Sequence, residues 1–204
     1  MADMIDRRVC ELLTARLCHD LAGPIAAIGN GAELLDDDDP QFVRQAGTLI
    51  ADSAATAARR LQLFRFVYGF SAGAVAGPPP HALALAYFAG GAAACDYPEA
   101  VRALPPEWQR LVCALLMNAA EALPRGGSLT VAGGVPGIAV AARGEGDGPS
   151  PESRDALGLA TPAEALTSRT VGAYIAGLLA QALGCRLRVA GEPGGFRILC
   201  EPAG

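Results

Sequence analysis

From Ile5 to Leu35 the apolar positions fall at Ile5, Val9, Leu13, Leu17, Leu21, Ile25, Ile28 and Leu35. Steps of three, four and seven predict one long amphipathic helix. The acidic run Asp36 to Asp39 closes it, and Asp39 followed by Pro40 predicts the N-cap and first residue of a second helix. The same period resumes through Phe42, Val43, Ala46, Leu49, Ile50, Ala54, Ala57, Leu61, Phe64 and Val67. So short a turn folds the two helices back antiparallel. At ~1.5 Å per residue, about thirty residues reach ~45 Å. A lone hairpin of that length covers only one side of itself, so dimerisation into a four-helix bundle is expected.

The stretch Ser71 to Pro80, rich in Gly, Ala and Pro, breaks both stripes and reads as a linker. Beyond it the pattern changes. His81 to Phe88 alternates like a strand, and Glu107 to Leu123 is a strongly amphipathic helix. Pro124 to Gly127 predicts a turn into strands at Ser128 to Ala132 and Gly137 to Ala142, followed by a Gly- and Pro-rich loop from Arg143 to Glu152. A helix from about Ser168 to Leu183 ends at Gly184, and strands follow at Arg186 to Val189 and Phe196 to Cys200. The fold class is therefore α+β. An antiparallel helical hairpin (residues 1–75), paired into a dimeric four-helix bundle, precedes an α/β sandwich (residues 81–204) with its helices on one face.

Composition narrows the chemistry. Hydrophobic residues make up 51% of the 204 and charged residues 18%, enough apolar content for a packed core. The net charge of −5 argues against a nucleic-acid partner. All sixteen basic residues are arginine, which removes any P-loop or Schiff-base lysine. The six cysteines form no C-x-x-C pair, and the acidic N-terminus is unlike a signal peptide. No apolar run reaches the ~20 residues that span a bilayer. A cytoplasmic protein with reduced thiols and no membrane partner is expected.

One residue stands out. At about 100° per residue, His19 points roughly 180° away from the stripe of Leu13, Leu17, Leu21, Ile25 and Ile28, into solvent. Its neighbours at helical spacing are Ala15, Ala22, Gly23 and Ala26, whereas exposed helix faces usually carry charge. Removing bulk around an imidazole lets another protein bring a reacting group close. Asp20 can accept a hydrogen bond from one ring nitrogen, fixing the tautomer and freeing the other as a nucleophile. Pro24 lacks an amide donor and should bend the helix just beyond the site. Spacing alone leaves an ordinary exposed histidine as the competing reading. His81, after three prolines and without an acid or a second ligand nearby, reads as structural.

His19-Asp20-Leu21-x-x-Pro24 resembles the H-box of histidine kinase dimerisation domains. The longer string Leu17 to Ile25, continued by Gly29-Asn-Gly-Ala-Glu-Leu-Leu35 and by Glu121-Ala-Leu-Pro-Arg-Gly-Gly127, resembles the ChpT-type histidine phosphotransferases. That resemblance implies a homodimer of kinase-like architecture that relays phosphate without ATP. His19 would be the phosphoacceptor and Asp20 would orient its imidazole. Ala15, Ala22, Gly23 and Ala26 would form the receiver-docking floor, with Arg16 as a rim or orienting contact. The donor would be the receiver of a CckA-like hybrid kinase and the acceptors CtrA- or CpdR-like response regulators, with Mg²⁺ held by the partner receiver and no metal or cofactor here.

A kinase-type ATP site fits the sequence poorly. Asn118 sits in the asparagine position of an N-box-like segment, but Val140-Ala-Ala142-Arg-Gly144-Glu-Gly146 puts Ala142 where the adenine-binding aspartate of D-x-G-x-G belongs. A purine there would leave its amine unpaired, at a cost of about 1–3 kcal/mol. The phosphate loop maps to Thr170-Val171-Gly172-Ala173, where only Gly172 survives. Gly23 stands four residues after His19, where kinases that double as phosphatases carry a threonine or carboxamide, so weak hydrolytic activity is expected. Two alternatives are a divergent ATP-dependent histidine kinase and a dimeric receiver-binding module that is never phosphorylated.

Overall fold

The computed structural model describes residues 6–69, 77–134, 137–146 and 148–203. Helix α1 (Arg7–Glu33) starts at Asp6, whose carboxylate accepts from the Arg8 amide, and it carries Pro24 within its length. A short 3₁₀ turn at Leu34–Asp36 leads to α2 (Pro40–Tyr68). Asp39 caps α2, accepting from the Gln41 amide at 2.7 Å, with Pro40 in the first turn. The two helices pack along their length as the periodicity predicts.

The linker reading falls largely on residues 70–76, outside the described residues. The strand expected at His81 to Phe88 is instead a helix, α3 (Pro80–Phe88). Alanine alternating with leucine fits a strand's period of two but carries strong helix propensity, and Pro80 suits a first helical turn. Leu83, Ala84 and Phe88 then fall on one buried face at helical spacing. Strand β1 (Ala93–Asp96) and helix α4 (Glu99–Arg102) follow, and neither was signalled by the pattern.

Helix α5 (Pro106–Glu121), strands β2 (Gly127–Gly134) and β3 (Gly137–Arg143), helices α6 (Pro151–Leu157) and α7 (Val171–Ala182), and strands β4 (Cys185–Glu192) and β5 (Gly195–Pro202) complete the chain. Helix α6 lies at the end of the stretch read as loop, capped by Ser150, which accepts from the Ser153 amide. Gly184 closes α7 at φ 71°, a conformation that suits glycine.

The sheet runs β1-β2-β3-β5-β4, with β1 parallel to β2 and the other pairs antiparallel. Register aligns Val131, Val140, Ile198 and Val189 across four strands. Along β2, β3 and β5 buried residues alternate with more exposed ones, so one face meets α5 and α7 while the other carries Arg186, Arg188 and Arg197. The architecture is α+β, helical first and sheet-bearing second.

The lower hairpin is sealed against the sandwich. Leu63, Phe64 and Val67 of α2 are buried in the same cluster as Leu111 and Leu115 of α5. Arg110 donates from Nε to the Val67 carbonyl at 2.6 Å and from Nη2 to the Gly69 carbonyl at 3.0 Å, binding carbonyls at the end of α2. At the start of α1, Val9 is buried and Arg8 donates to the Leu166 carbonyl at 3.2 Å.

Candidate functional site

Helix α1 presents His19 in solvent, with its side chain 88% exposed. Ala15, Ala22, Gly23 and Ala26 are exposed around it, and no atom lies within 4 Å of where a Gly23 Cβ would be. The floor read from the sequence is thus a bare surface beside the ring. His19 Nδ1 lies 3.4 Å from Asp20 Oδ1, a long hydrogen bond that leaves Nε2 pointing away from the acid. Arg60 of α2 donates from Nη1 to the Asp20 carbonyl oxygen, fastening this turn of α1 to the hairpin.

Arg16, expected as a rim or orienting contact, is half-buried. Its side chain is only 12% exposed and turns under α1 towards the sandwich. Nη2 donates to Glu121 Oε1, while Nη1 donates to the carbonyls of Arg169 at 3.1 Å and Ser168 at 3.4 Å. Nε stands 3.7 Å from Asp20 Oδ2, is buried and makes no hydrogen bond among the described residues. Burial works against the guanidinium charge, but Glu121, Tyr68 and Asp20 more than offset it, and the Arg16 pKa ends above its ordinary value. Glu121 is pushed above the usual carboxylate range by burial, with Arg16 pulling the other way. Burial likewise raises Tyr68, which lies beside the same cluster.

The residues compared with an ATP site are engaged in packing. Asn118 is buried, and its amide donates to the Ala114 carbonyl at 2.8 Å and the Gly172 carbonyl at 3.3 Å, tying α5 to α7. Ala142 is buried in β3 between Leu129 and Phe196 of the flanking strands. Gly144 has φ 156°, and a Cβ there would come within 2.5 Å of the Gly126 carbonyl oxygen, so the strand-to-turn packing needs that glycine. At the α7 N-terminus Thr170 bonds with Thr167, and a Cβ on Gly172 would sit 3.4 Å from the Arg16 guanidinium. The segment compared with a phosphate loop thus lies against an arginine from α1.

A groove of about 1730 Å³ runs between the hairpin and the sandwich, lined among others by Ala15, His19, Asp20, Asn118, Ser150 and Thr170. It brings four sequence-derived residues (Ala15, Arg16, His19 and Asp20) to one rim, while Gly23 faces a separate shallow depression with Pro24 and Asp52. Glu121, Arg60 and the Ser168–Arg169 carbonyls escaped the sequence reading. Glu121 alone carried a signal, one helical turn beyond Asn118 on the same face of α5. Among the described residues no group of three or more His, Cys, Asp or Glu could hold a metal, and no helix is long and apolar enough to cross a membrane.

The site is thus a solvent-facing histidine on a helical hairpin packed against an α/β sandwich. Residues 80–194 match the family described as histidine phosphotransferase C-terminal domain. The protein phosphotransferase ChpT of Brucella abortus (strain 2308) is 29% identical over 185 residues, which cover 87% of this chain and 88% of that protein. A solved structure of a bacterial phosphotransferase is similar with a TM-score of 0.78 at 25% identity, covering 97% of this chain and 98% of its own. The chain belongs to the histidine phosphotransferase family.

Proposed function

We propose that this protein carries a phosphoryl group on His19 between two receiver domains of a two-component phosphorelay, one in a hybrid histidine kinase and one in a response regulator. The observation that carries the reading is His19 itself: exposed, ringed by alanines and glycine, and bonded through Nδ1 to Asp20. The Nε2 lone pair attacks phosphorus of an aspartyl phosphate as the bond from phosphorus to the carboxylate oxygen breaks, and the N–P bond forms while the aspartate leaves as carboxylate. The acceptor's carboxylate then attacks, and Nε2 leaves with its lone pair. The Nδ1 proton stays on the ring throughout, held by Asp20. Positioning and charge neutralisation carry most of such a transfer, and Mg²⁺ would come with the receiver.

Ala15, Ala22, Gly23 and Ala26 are assigned to the docking floor. Residues 1–75 are assigned to phosphotransfer and dimerisation, and residues 81–204 to a sandwich that uses no nucleotide. Ala142 in the adenine position and Arg16 over the α7 N-terminus support that assignment. Pairing of two hairpins is supported by the apolar side chains left uncovered on them, among them Ile25 at 57% and Phe42 at 52% exposure. A cytoplasmic location goes with these partners.

The test mixes the purified protein with a receiver domain phosphorylated by its kinase, with Mg²⁺, and follows labelled phosphate on wild type and His19→Ala. Acid-labile, base-stable label on wild type and none on the variant is the expected result. No label on either, with ATP also silent, leaves only a receiver-binding module.

A further inference from the structure

Glu121 has no part in the chemistry just described, yet it holds the guanidinium that lies beside the Asp20 carboxylate. The Arg16 guanidinium lies between two carboxylates. Every hydrogen bond it makes draws it towards the sandwich: Nη2 to Glu121, and Nη1 to the Arg169 and Ser168 carbonyls. On the other side Nε is buried without a hydrogen bond among the described residues, 3.7 Å from Asp20 Oδ2, while Asp20 Oδ1 faces His19 Nδ1 at 3.4 Å. A buried N–H without an acceptor is costly, and an arginine–carboxylate pair is among the strongest remedies. The three anchors hold the guanidinium on the sandwich side, short of closing on Asp20. Arg60 does not compete, since it takes the Asp20 carbonyl and not the carboxylate.

The geometry points to Glu121 as a positioning residue for phosphotransfer: by holding Arg16 on the sandwich, it keeps the Asp20 carboxylate available to His19 Nδ1. A carboxylate drawn into a short pair with arginine is a poorer acceptor for the imidazole, and its rotation towards Nε takes Oδ1 away from the ring. The Nδ1–H tautomer, and with it the free Nε2 lone pair, would then lose its support. In this way the seating of the sandwich on the hairpin is felt at the phosphoacceptor without the sandwich touching it. The inference rests on the phosphotransfer reading of His19.

The test reads the His19 imidazole directly, by ¹⁵N and ¹³C shifts of labelled protein at a pH where the ring is neutral. It compares wild type, Glu121→Gln, Glu121→Asp, Arg16→Gln and the Arg16→Gln/Glu121→Gln double variant. Glu121→Gln keeps shape and removes charge at a side chain 43% exposed, so its helical signal should match wild type and its unfolding midpoint should fall no further than that of Arg16→Gln. The expected result is a shift of the neutral ring from Nδ1–H towards Nε2–H. With it, the transfer rate at saturating phosphorylated receiver should fall about fivefold, the equivalent of one hydrogen bond, at unchanged KM. Glu121→Asp should recover part of both. In the Arg16→Gln background the Glu121 substitution should move neither, because the competitor is gone.

An unchanged tautomer in Glu121→Gln overturns the inference, as does a shift that persists without Arg16. A fall in rate with the tautomer intact also overturns it, assigning Glu121 to receiver contact. If wild type takes up no phosphoryl group, the relay reading fails; a tautomer that still follows Glu121 through Arg16 would then show the positioning geometry to hold without it.

Discussion

Helix α1 buries only Val9 and Gly31 of its 27 residues, whereas α5 buries eleven of sixteen, with Leu111, Val112, Cys113, Ala114, Leu115 and Leu116 fully enclosed. Even Gln109 of α5 is satisfied inside, donating to the carbonyls of Arg102 and Leu104. The sandwich core is closed, with Leu63, Phe64 and Val67 of α2 completing it. The hairpin stripe is covered only where Leu12, Leu13, Leu17 and Leu21 pack against that shared core, and is left open from Ile25 to the turn. The same stripe is therefore packed within the molecule at one end and left apolar and exposed at the other. The phosphoacceptor candidate sits on the under-buried element, where surface is free to be approached, and the well-packed element braces it.

The sharpest way to break this comparison is to weaken each half separately. Leu115→Ala should destabilise the sandwich by about 3 kcal/mol, from lost transfer energy plus a cavity no neighbour can fill. Urea unfolding followed by the Trp108 fluorescence reads it, and a loss below about 1 kcal/mol would show that the core relaxes far more than packing at this density permits. The opposite manipulation, Ile25→Glu with Phe42→Glu, should leave that unfolding transition in place and break the proposed pairing of two hairpins. Burying each such side chain contributes ~1.5–3 kcal/mol, so dissociation should rise by at least ~100-fold. Sedimentation at micromolar protein decides it, and a double variant that stays dimeric would move the interface off this face.

Much of the comparison was legible in the sequence because the two halves follow different periods. The three-four spacing from Val9 to Ile28 located α1, and Asp39-Pro40 located the start of α2 to the residue. His19 was legible for the same reason, since its exposure follows from its angle to the stripe. The failures came where period and propensity conflict or where elements are short. His81 to Phe88 alternates as a strand would, but alanine is too small to mark a face, and its helix propensity prevailed. Strand β1, four residues long, has no room for a pattern. The sequence left Arg16 open between a rim and an orienting contact because its partners, Glu121 and two carbonyls before α7, lie more than a hundred residues away. Helical spacing reports a direction from the axis and says nothing of what folds in beneath.

The mildest test of the contrast needs no substitution, only thiols. Cys10 and Cys18 on α1 are exposed, while Cys113, Cys185 and Cys200 are buried in the sandwich and Cys95 is half-buried at its edge. Burial, with Asp96 adding to it, pushes the Cys95 thiol up to about 11, and burial with Cys185 beside it pushes Cys200 up to about 12. At pH 8 iodoacetamide should therefore modify Cys10 and Cys18 promptly and leave Cys95 untouched, as mass spectrometry of the peptides would show. Because the Cys95 pKa is raised on folding, the unfolded chain gives up that proton first. The associated stability is complete below the ordinary thiol value near 9 and is lost as the pH climbs towards 11. Alkaline titration should thus bring Cys95 labelling and a small fall in sandwich stability over the same interval. Rapid Cys95 alkylation at pH 8 would mean that the sheet edge opens readily, and the sandwich would then be no more self-contained than the hairpin it supports.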